Sequence, residues 1–309
     1  MAKAIREIYG ETLAELGNTM ENLVVLDADV AGSTKSGMFQ KAHPERFFNM
    51  GIAEANMAAT AAGLSTTGLV PFINTFAVFI TSASLLALRG QICYGNLNVK
   101  LGGAYAGMSD ARDGATHHAL EDLAILRALP NMKIISVCDE AETRWATRYA
   151  AECDGPCYLR LSRDVMPALY PADHSFTFGK AETLREGKDA TIIATGLMVH
   201  NALDAAKQLE AEGISVTVLD MHTIKPIDTM AVLRATAQGP VVTAEEHNVI
   251  GGLGSAVAEI MAGAGCMQSL TRVGLQDTFS ETGDYASLQN KYGIDPASIA
   301  DAVRRSLKR

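Results

Sequence analysis

The sequence predicts an α/β fold made of two three-layer α/β/α domains with mostly parallel sheets. Short apolar runs alternate with longer segments of helical spacing, a pattern that favours parallel sheets covered on both faces. The alternation occurs twice, on either side of a stretch with Pro and Gly residues that discourage regular structure. We therefore expect one domain at 1–170, a linker at 171–188 and a second domain at 189–309, which a chain of 309 residues is long enough to form.

In the first half, each expected strand is a short apolar run, and each expected helix has helical spacing or many Ala and Leu residues. The expected strands are Asn22–Ala28, Gly68–Ile73, Asn98–Leu101, Lys133–Cys138 and Cys157–Leu161. The expected helices are Ala53–Leu64, Thr75–Tyr94, His118–Ala128 and Ala141–Cys153.

The second half repeats this alternation. The expected strands are Asp189–Thr195, Ser215–Asp220 and Pro240–Ala244, and the expected helices are Val199–Gly213, Asp228–Ala235 and the end of Gly251–Ala262. The last of these segments begins with a glycine loop. Its glycines suit a tight turn, and a phosphate-binding role is the weaker interpretation because the full G-x-G-x-x-G spacing is absent.

Composition excludes several classes of function. Hydrophobic residues at 48% and charged residues at 20% are typical of a folded globular chain. A net charge of -9 disfavours nucleic acid as the main partner. Polar residues interrupt the apolar region from Met57 to Leu88, so we expect no membrane association. Five cysteines without a disulfide framework or a CxxC pair indicate free thiols and a cytoplasmic location.

One carboxylate is notable for its surroundings. Glu54 lies in a run of small and apolar residues that continues to Ala62. Burying a charge without a partner is costly, so either Glu54 faces water on an amphipathic helix or a specific group needs its carboxylate. The residues alone leave both interpretations open.

Three further patterns are candidates for function. Asp113 and two histidines, His117 among them, precede an expected helix, and a simple turn with an N-cap does not explain them together. No further ligands with metal-site spacing are evident, so no metal site is predicted. Arg163 follows a strand and suits phosphate or carboxylate binding, with a surface ion pair as an equal alternative. Phe76 and Phe79 have the spacing of a helical core, and an aromatic wall for a planar cofactor is the alternative.

Together these segments resemble the C-terminal half of transketolase, most closely the form in which that half is a separate subunit. The resemblance covers nearly the whole chain, in order. Its segments are Asp27-Ala28-Asp29, Gly32-Ser33-Thr34-Lys35, Arg46 to Met57, Asp113 to His117, Glu121 to Ala124, Arg127 to Asn131, Ser162-Arg163 and Glu245 to Gly252. It implies a thiamine diphosphate pyrimidine-binding domain followed by a transketolase C-terminal domain.

The resemblance implies roles for individual residues. In this family a glutamate engages the aminopyrimidine of thiamine diphosphate so that the cofactor becomes a nucleophile, and Glu54 stands at that position. A catalytic role is also implied for His117, near the reacting carbonyl and hydroxyls of the substrate. The other implied contacts are with the cofactor for Phe76, Phe79 and Asp29, and with the substrate for Asp113, Ser33 and Arg163, the last two at its terminal phosphate.

The implied activity is transketolase, the transfer of a two-carbon ketol unit from a ketose phosphate to an aldose phosphate, as in pentose phosphate metabolism. Two departures from the family pattern matter. Tyr105 replaces a histidine eight residues before Asp113, which leaves the preferred terminal anion open. The family's Gly-Asp-Gly and downstream Asn, which bind Mg²⁺ and diphosphate, are also absent. The resemblance therefore implies an N-terminal partner subunit that holds Mg²⁺, and a heterotetramer.

Three alternatives remain open. The chain resembles 1-deoxyxylulose-5-phosphate synthase and the E1 β subunit of 2-oxo acid dehydrogenases as well, although the runs Asp113–His118 and Arg127–Asn131 favour transketolase. A non-catalytic regulatory subunit with the same fold is the third alternative. The joint retention of four residues argues against it, namely Glu54, Asp113, His117 and Arg163.

Overall fold

A computed structural model of the chain describes residues 3–308. Its strands are β1 (Leu23–Asp27), β2 (Phe47–Asn49), β3 (Val70–Phe76), β4 (Lys100–Ala104), β5 (Lys133–Ser136), β6 (Cys157–Arg160), β7 (Glu182–Arg185), β8 (Ala190–Ala194), β9 (Val216–Asp220), β10 (Thr223–Lys225), β11 (Val241–Asn248) and β12 (Leu270–Leu275). Its helices are α1 (Ile5–Gly17), α2 (Ala31–Thr34), α3 (Gly37–Ala42), α4 (Glu54–Ser65), α5 (Ala77–Ser82), α6 (Leu85–Ala87), α7 (Asp122–Arg127), α8 (Glu140–Glu152), α9 (Met198–Glu210), α10 (Thr229–Gln238), α11 (Leu253–Gly263), α12 (Tyr285–Lys291) and α13 (Pro296–Ser306). A 3₁₀ turn spans Pro44–Arg46, and a π-helical turn spans Leu88–Cys93.

The strands form two mostly parallel sheets flanked by helices, which confirms the predicted α/β class. Within residues 3–308, one sheet has seven strands in the order β10-β5-β6-β4-β3-β1-β2, and the other has five in the order β12-β11-β8-β9-β7. Strands β1 and β3 are buried along their whole length and mostly apolar, as expected for parallel strands covered on both faces. No helix in the described range is both long and apolar enough to cross a lipid bilayer.

Strand β10 joins the two halves of the chain. It follows β9 of the second sheet but pairs antiparallel with β5 of the first. Ile224 of this strand and Met221 just before it are buried in an apolar cluster that contains residues of both halves. The Lys225 ammonium donates hydrogen bonds to the carbonyls of Arg127 and Leu129 at 2.8 and 2.5 Å. The halves therefore share hydrogen bonds and a continuous apolar core.

Two differences between the structure and the sequence prediction concern the linker and the segment after Thr75. Strand β7 lies inside the expected linker at 171–188. The expected helix that starts at Thr75 is also wrong in its first part, because Thr75 and Phe76 end β3 and two short helices follow. Phe72 and Phe76 therefore belong to a buried strand, and only Phe79 lies on a helix.

Candidate active site

The candidate site lies where the central parallel strands of the first sheet end. Asp29 follows β1, Phe76 ends β3, Tyr105 follows β4 and Arg163 follows β6. These strands are neighbours, so their carboxyl ends bring the four residues to one edge of the sheet. The strand order reverses between β1 and β3, and ligands of open α/β sheets bind at such switch points.

A buried carboxylate shapes the first loop at this edge. Asp27 accepts the Val30 amide at 2.6 Å and the hydroxyls of Thr34 and Ser36, both at 2.8 Å. Burial raises the pKa of Asp27, although these hydrogen bonds favour its charged form. The loop is thus held together from within, and it leaves Asp29 exposed in a left-handed conformation with φ of 67°.

Glu54 is the first residue of α4 and is half-buried. The helix buries Met57 and Ala58 against the core, while the residue before its cap, Ile52, is 83% exposed. Among the described residues, the side-chain hydrogen bond of Glu54 comes from the Thr75 hydroxyl at 3.5 Å. The helix dipole favours a carboxylate in the first turn. Most of the hydrogen-bonding capacity of Glu54 nevertheless remains available to a ligand.

Asn49 connects the turn before Glu54 to the loop with Asp29. Its side-chain amide donates to Asp29 Oδ1 at 2.8 Å, and its Oδ1 accepts the Gly51 amide at 2.9 Å. Gly51 has a φ of 69°, a conformation that favours glycine. Asp29 and Glu54 are therefore presented by two segments that Asn49 holds together.

An aromatic wall adjoins this turn. Phe76 and Phe79 stack with ring centroids 5.8 Å apart and an interplanar angle of 25°. Tyr105 meets Phe76 edge-on at 4.5 Å, and His117 lies 5.2 Å from Phe79. Offset stacking and edge-to-face contacts are favoured aromatic geometries. The wall offers a flat apolar surface with an imidazole at one end.

Two guanidinium groups contact the Tyr105 ring. Arg6 Cζ and Arg163 Cζ lie 5.2 and 5.3 Å from its centroid, within cation–π range. Arg6 Nη1 also donates to the Tyr105 hydroxyl at 2.5 Å and to the Ser33 carbonyl at 3.0 Å. Tyr105 thus links Phe76 of the aromatic wall to two positive charges and to the Ser33 loop.

Asp113 reaches this cluster through a second aspartate. Arg163 Nη1 pairs with Asp110 Oδ1 at 2.6 Å, and Asp110 is buried while the Arg163 side chain is 40% exposed. Burial raises the pKa of Asp110, and a hydrogen bond and the negative charge of Asp113 raise it further. A pocket of about 450 Å³ opens beside this pair and is lined by Arg112 and Arg163.

The two adjacent histidines have different surroundings. His117 faces the aromatic wall and is half-buried. His118 is buried, where its ring nitrogens bond with the Asp110 carbonyl at 2.9 Å and with the Ser280 hydroxyl. Burial lowers the pKa of His118. His118 therefore fastens the loop that carries His117 and Asp113, and only His117 is available to a ligand.

The Glu245 to Gly252 segment lies at the domain junction rather than at the site. Glu245 accepts the amides of Leu253 and Gly254 at 2.6 and 2.8 Å, so a carboxylate of this chain already occupies the N-terminus of α11. Glu246 is buried, where it accepts the Met108 amide at 3.0 Å. Burial raises the pKa of Glu246 to about 7.

Arg160 binds the two halves at this junction. Its Nε donates to Asp122 Oδ2 at 2.8 Å, and its Nη2 donates to the Glu246 carbonyl at 2.9 Å. Asp122 also accepts the Tyr158 hydroxyl at 2.8 Å. The Arg160 charge lowers the pKa of Asp122, in opposition to burial, which raises it. This ion pair is buried and has hydrogen bonds on both partners.

A second junction cluster contains Cys138, Glu142 and Asp220, whose donor atoms lie within 4.8 Å of one another. Asp220 accepts the Tyr170 hydroxyl at 2.7 Å and the Cys138 thiol at 3.4 Å. Burial raises the pKa of Asp220 to about 7 and also raises that of Glu142. The sequence analysis did not find this cluster, because its members come from separate domains.

The structure brings most of the sequence-predicted site residues to one edge. They are Asp29, Ser33, Glu54, Phe76, Phe79, His117 and Arg163, with Asp113 connected through Asp110. Sequence reasoning missed Arg6, Asp27, Asn49 and Asp110. The acidic end of the first strand was a signal for Asp27, whereas Arg6 gave none because its partner Tyr105 is 99 residues away.

Comparison with known families agrees with this architecture. Residues 1–168 match the family model "Transketolase, pyrimidine binding domain", and residues 179–299 match "Transketolase, C-terminal domain". The first range contains the whole candidate site. The second contains all five strands of the second sheet.

Individual proteins agree as well. The chain is 44% identical to a protein assigned as a transketolase C-terminal section from Methanocaldococcus jannaschii, over 99% of this chain and 97% of that one. It is 40% identical to a subunit of 6-deoxy-6-sulfo-D-fructose transketolase from Clostridium sp. (strain MSTE9), over 99% and 95%. A solved split-gene transketolase, described as an inactive β4 tetramer, superposes with a TM-score of 0.90 at 46% identity and covers 100% of this chain and 99% of its own. The chain therefore belongs to the transketolase family, which depends on thiamine diphosphate.

Proposed function

We propose that this chain is one subunit of a split transketolase that moves a two-carbon ketol unit from a ketose phosphate to an aldose phosphate. The observation that supports this most directly is the arrangement around Glu54. A half-buried carboxylate with one weak internal hydrogen bond lies at the switch point of the sheet, next to an aromatic wall and a histidine.

The residues present fit the pyrimidine half of thiamine diphosphate. The stacked pair Phe76 and Phe79 offers a flat apolar surface for a planar ring, and the Glu54 carboxyl has free capacity to hydrogen-bond a ring nitrogen. When bound, the cofactor supplies the carbon that accepts the ketol unit. Asp29 would also contact the cofactor. It is exposed on the loop that Asn49 joins to the turn before Glu54.

Glu54 would act by holding a proton at the pyrimidine nitrogen. Helix α4 and the Thr75 hydroxyl orient the carboxyl group, which would hydrogen-bond the ring from this position. His117 would orient or exchange a proton with the substrate oxygen nearest the aromatic wall. Its edge-on contact with Phe79 holds the imidazole plane in place.

The anionic end of the substrate would lie at the cationic side of the site. Arg163 is 40% exposed and lines a pocket with Arg112, Asp164 and Asp284, and the two arginines could approach an anion there. Ser33 and Asp113 complete the proposed substrate contacts, with Asp113 at a sugar hydroxyl. Tyr105 accepts a hydrogen bond from Arg6 and, unlike a histidine, adds no positive charge of its own. The terminal group of the substrate can therefore be a phosphate or a sulfonate.

A second chain would supply the Mg²⁺ and diphosphate site. The sequence contains no Gly-Asp-Gly with a downstream Asn, and the one similar segment ends in Asp284, which caps α12 through the Ser287 amide. Ile52, two residues before Glu54, is 83% exposed, and so is Leu86 on α6, a helix that packs against α4. These support a partner that covers the site and a heterotetrameric assembly. The proposal includes a cytoplasmic location, in keeping with free thiols.

The test is an activity assay with the chain alone and with a partner subunit that contains the Gly-Asp-Gly motif. Thiamine diphosphate, Mg²⁺, xylulose 5-phosphate or a 6-sulfo ketose, and an aldose phosphate are supplied. We expect ketol transfer only from the mixture of the two chains. Turnover of pyruvate in place of a ketose would contradict the transketolase assignment, and ketol transfer by the lone chain would contradict the split site.

A further inference from the structure

Two cysteines and two lysines meet at the opposite edge of the first sheet. Cys157 begins β6, and its register partners on the neighbouring strands are Lys100 of β4 and Lys133 of β5. Partners in register point to the same face of a sheet. Cys153, four residues earlier, caps the C-terminus of α8, and Gly155 turns the chain between the two thiols with a φ of 78°.

Lys100 ties this cluster together. Its side chain is fully buried, and its ammonium donates to the carbonyls of Cys153 and Gly155 at 2.6 and 2.8 Å. The same nitrogen lies 3.6 Å from Cys153 Sγ. Lys133 binds the Asp154 carbonyl at 2.5 Å, so both lysines hold the short loop that joins the cysteines.

The two thiols differ in accessibility and acidity. Cys153 is half-buried and Cys157 is fully buried. A hydrogen bond from Cys157 and the charges of Lys100 and Lys133 lower the pKa of Cys153 to about 6, against the effect of burial. The same interaction with Cys153, together with burial, raises the pKa of Cys157. Cys153 is therefore the more acidic of the two thiols and the one that reaches the reactive thiolate form more readily.

We propose that Cys153 and Cys157 form a peroxide-reactive dithiol, with Cys153 as the attacking sulfur and Cys157 as the resolving one. The Cys153 thiolate attacks one oxygen of hydrogen peroxide, the O–O bond breaks, hydroxide leaves, and the sulfur is oxidised to a sulfenic acid. Cys157 then attacks that sulfur. The S–S bond forms, the S–O bond breaks, and water leaves with the Cys157 proton, so one thiolate, one thiol and one peroxide give one disulfide, one hydroxide and one water.

The first experiment compares alkylation of two half-buried cysteines in the intact protein. Cys266 is the internal reference, since it contacts a hydroxyl, that of Thr236, rather than a lysine ammonium. At pH 6 a thiol with a pKa near 6 is half thiolate, whereas an ordinary cysteine is almost entirely protonated. The lower nucleophilicity of the more acidic thiolate offsets part of this difference, so its alkylation rate exceeds that of an ordinary cysteine by about tenfold. We expect iodoacetamide to modify Cys153 about tenfold faster. Equal rates would overturn the proposal.

The second experiment follows the oxidation itself. Trypsin cleaves after Arg148 and Arg160, so one peptide contains both cysteines. After treatment with hydrogen peroxide we expect this peptide to lose about 2 Da, reversibly with a thiol reductant, as one disulfide requires. In Cys157→Ser a dimedone adduct should appear on Cys153, whereas Cys266→Ser should oxidise as the unmodified protein does. A peptide that stays reduced, or that gains oxygen without forming the disulfide, would contradict the proposal.

Discussion

The molecule contains two groups of charged residues with opposite character, one at the Glu54 edge and one around Arg160 at the domain junction. Arg160 and Asp122 are buried, and each has further hydrogen bonds that satisfy it. Glu54, Asp29 and His117 are partly or fully exposed, and Glu54 has a single hydrogen bond of 3.5 Å among the described side chains.

This difference separates a structural role from a ligand-binding role. A buried ion pair with all its hydrogen bonds is costly to break and offers nothing to a ligand. A carboxylate at a sheet edge with free acceptor capacity contributes little to stability and is ready for a partner. Substitutions in the two regions should therefore affect different measurements.

Glu54→Gln should produce the largest effect, on activity. Loss of the acid should lower ketol transfer by the assembled enzyme by about 100-fold or more, a range typical of a lost general acid or base. The free energy of unfolding should hardly change, since Glu54 has one weak contact. Glu140→Gln is the matched control, because Glu140 occupies the same first position of α8. Similar activities of the two variants would remove the basis for the proposed role.

Arg160→Met should produce the largest effect on stability. It leaves the buried Asp122 carboxylate without its cation, which typically costs about 3–5 kcal/mol of unfolding free energy. Urea unfolding measures this loss, and the double variant with Asp122→Asn should recover part of it. The exposed pair of Arg304 and Glu212 is the reference, and Arg304→Met should change stability much less. Equal losses of unfolding free energy in both variants would show that burial does not make the Arg160–Asp122 pair more important for stability.

Glu246→Gln should change the pH dependence of stability. Burial raises the pKa of Glu246 to about 7, so the folded state retains a proton that the unfolded state releases above its ordinary value. The stabilising contribution is complete below about pH 4.5 and is lost as the pH rises through about 7. The variant should lose roughly 3 kcal/mol less unfolding free energy than the native protein between these pH values. An unchanged slope would contradict this account.

Tyr105→Phe should produce the smallest effect, on substrate binding. Removal of the hydroxyl leaves Arg6 with one hydrogen bond fewer, worth about 1 kcal/mol or a fivefold rise in KM for the anionic substrate. The value of kcat should stay nearly constant, because Tyr105 is not proposed to touch the reacting atoms. Tyr94→Phe is the matched control, since Tyr94 is 88% exposed. A loss confined to kcat would exclude the anion-side role.

The parallel core strands were predictable because they are continuous apolar runs, as β1 and β8 show. Strand β10 was not, because three residues paired with a strand of the other domain leave no local pattern. The β3 end was misread since Phe76 and Phe79 have helical spacing by coincidence, one on a strand and one on a helix. Periodicity cannot show where a strand passes directly into a helix.

The candidate site was predictable where a motif contains its residues, as with Glu54 and His117. It was not predictable where partners meet only in the fold. The contact of Arg6 with Tyr105 spans 99 positions, and the contact of Lys100 with Cys153 spans 53. The spacing of Cys153 and Cys157 matched no redox motif, and only the buried lysine beside them revealed a reactive pair.

The central claim is tested most directly by calorimetric titration of the protein with thiamine diphosphate in the presence of Mg²⁺. The lone chain, the complex with a Gly-Asp-Gly subunit, and the same complex with Glu54→Gln are compared. We predict no measurable binding to the lone chain, tight binding to the complex, and weaker binding to the variant complex. Tight, Mg²⁺-dependent binding by the lone chain would contradict the account, because it would require a diphosphate site within this polypeptide.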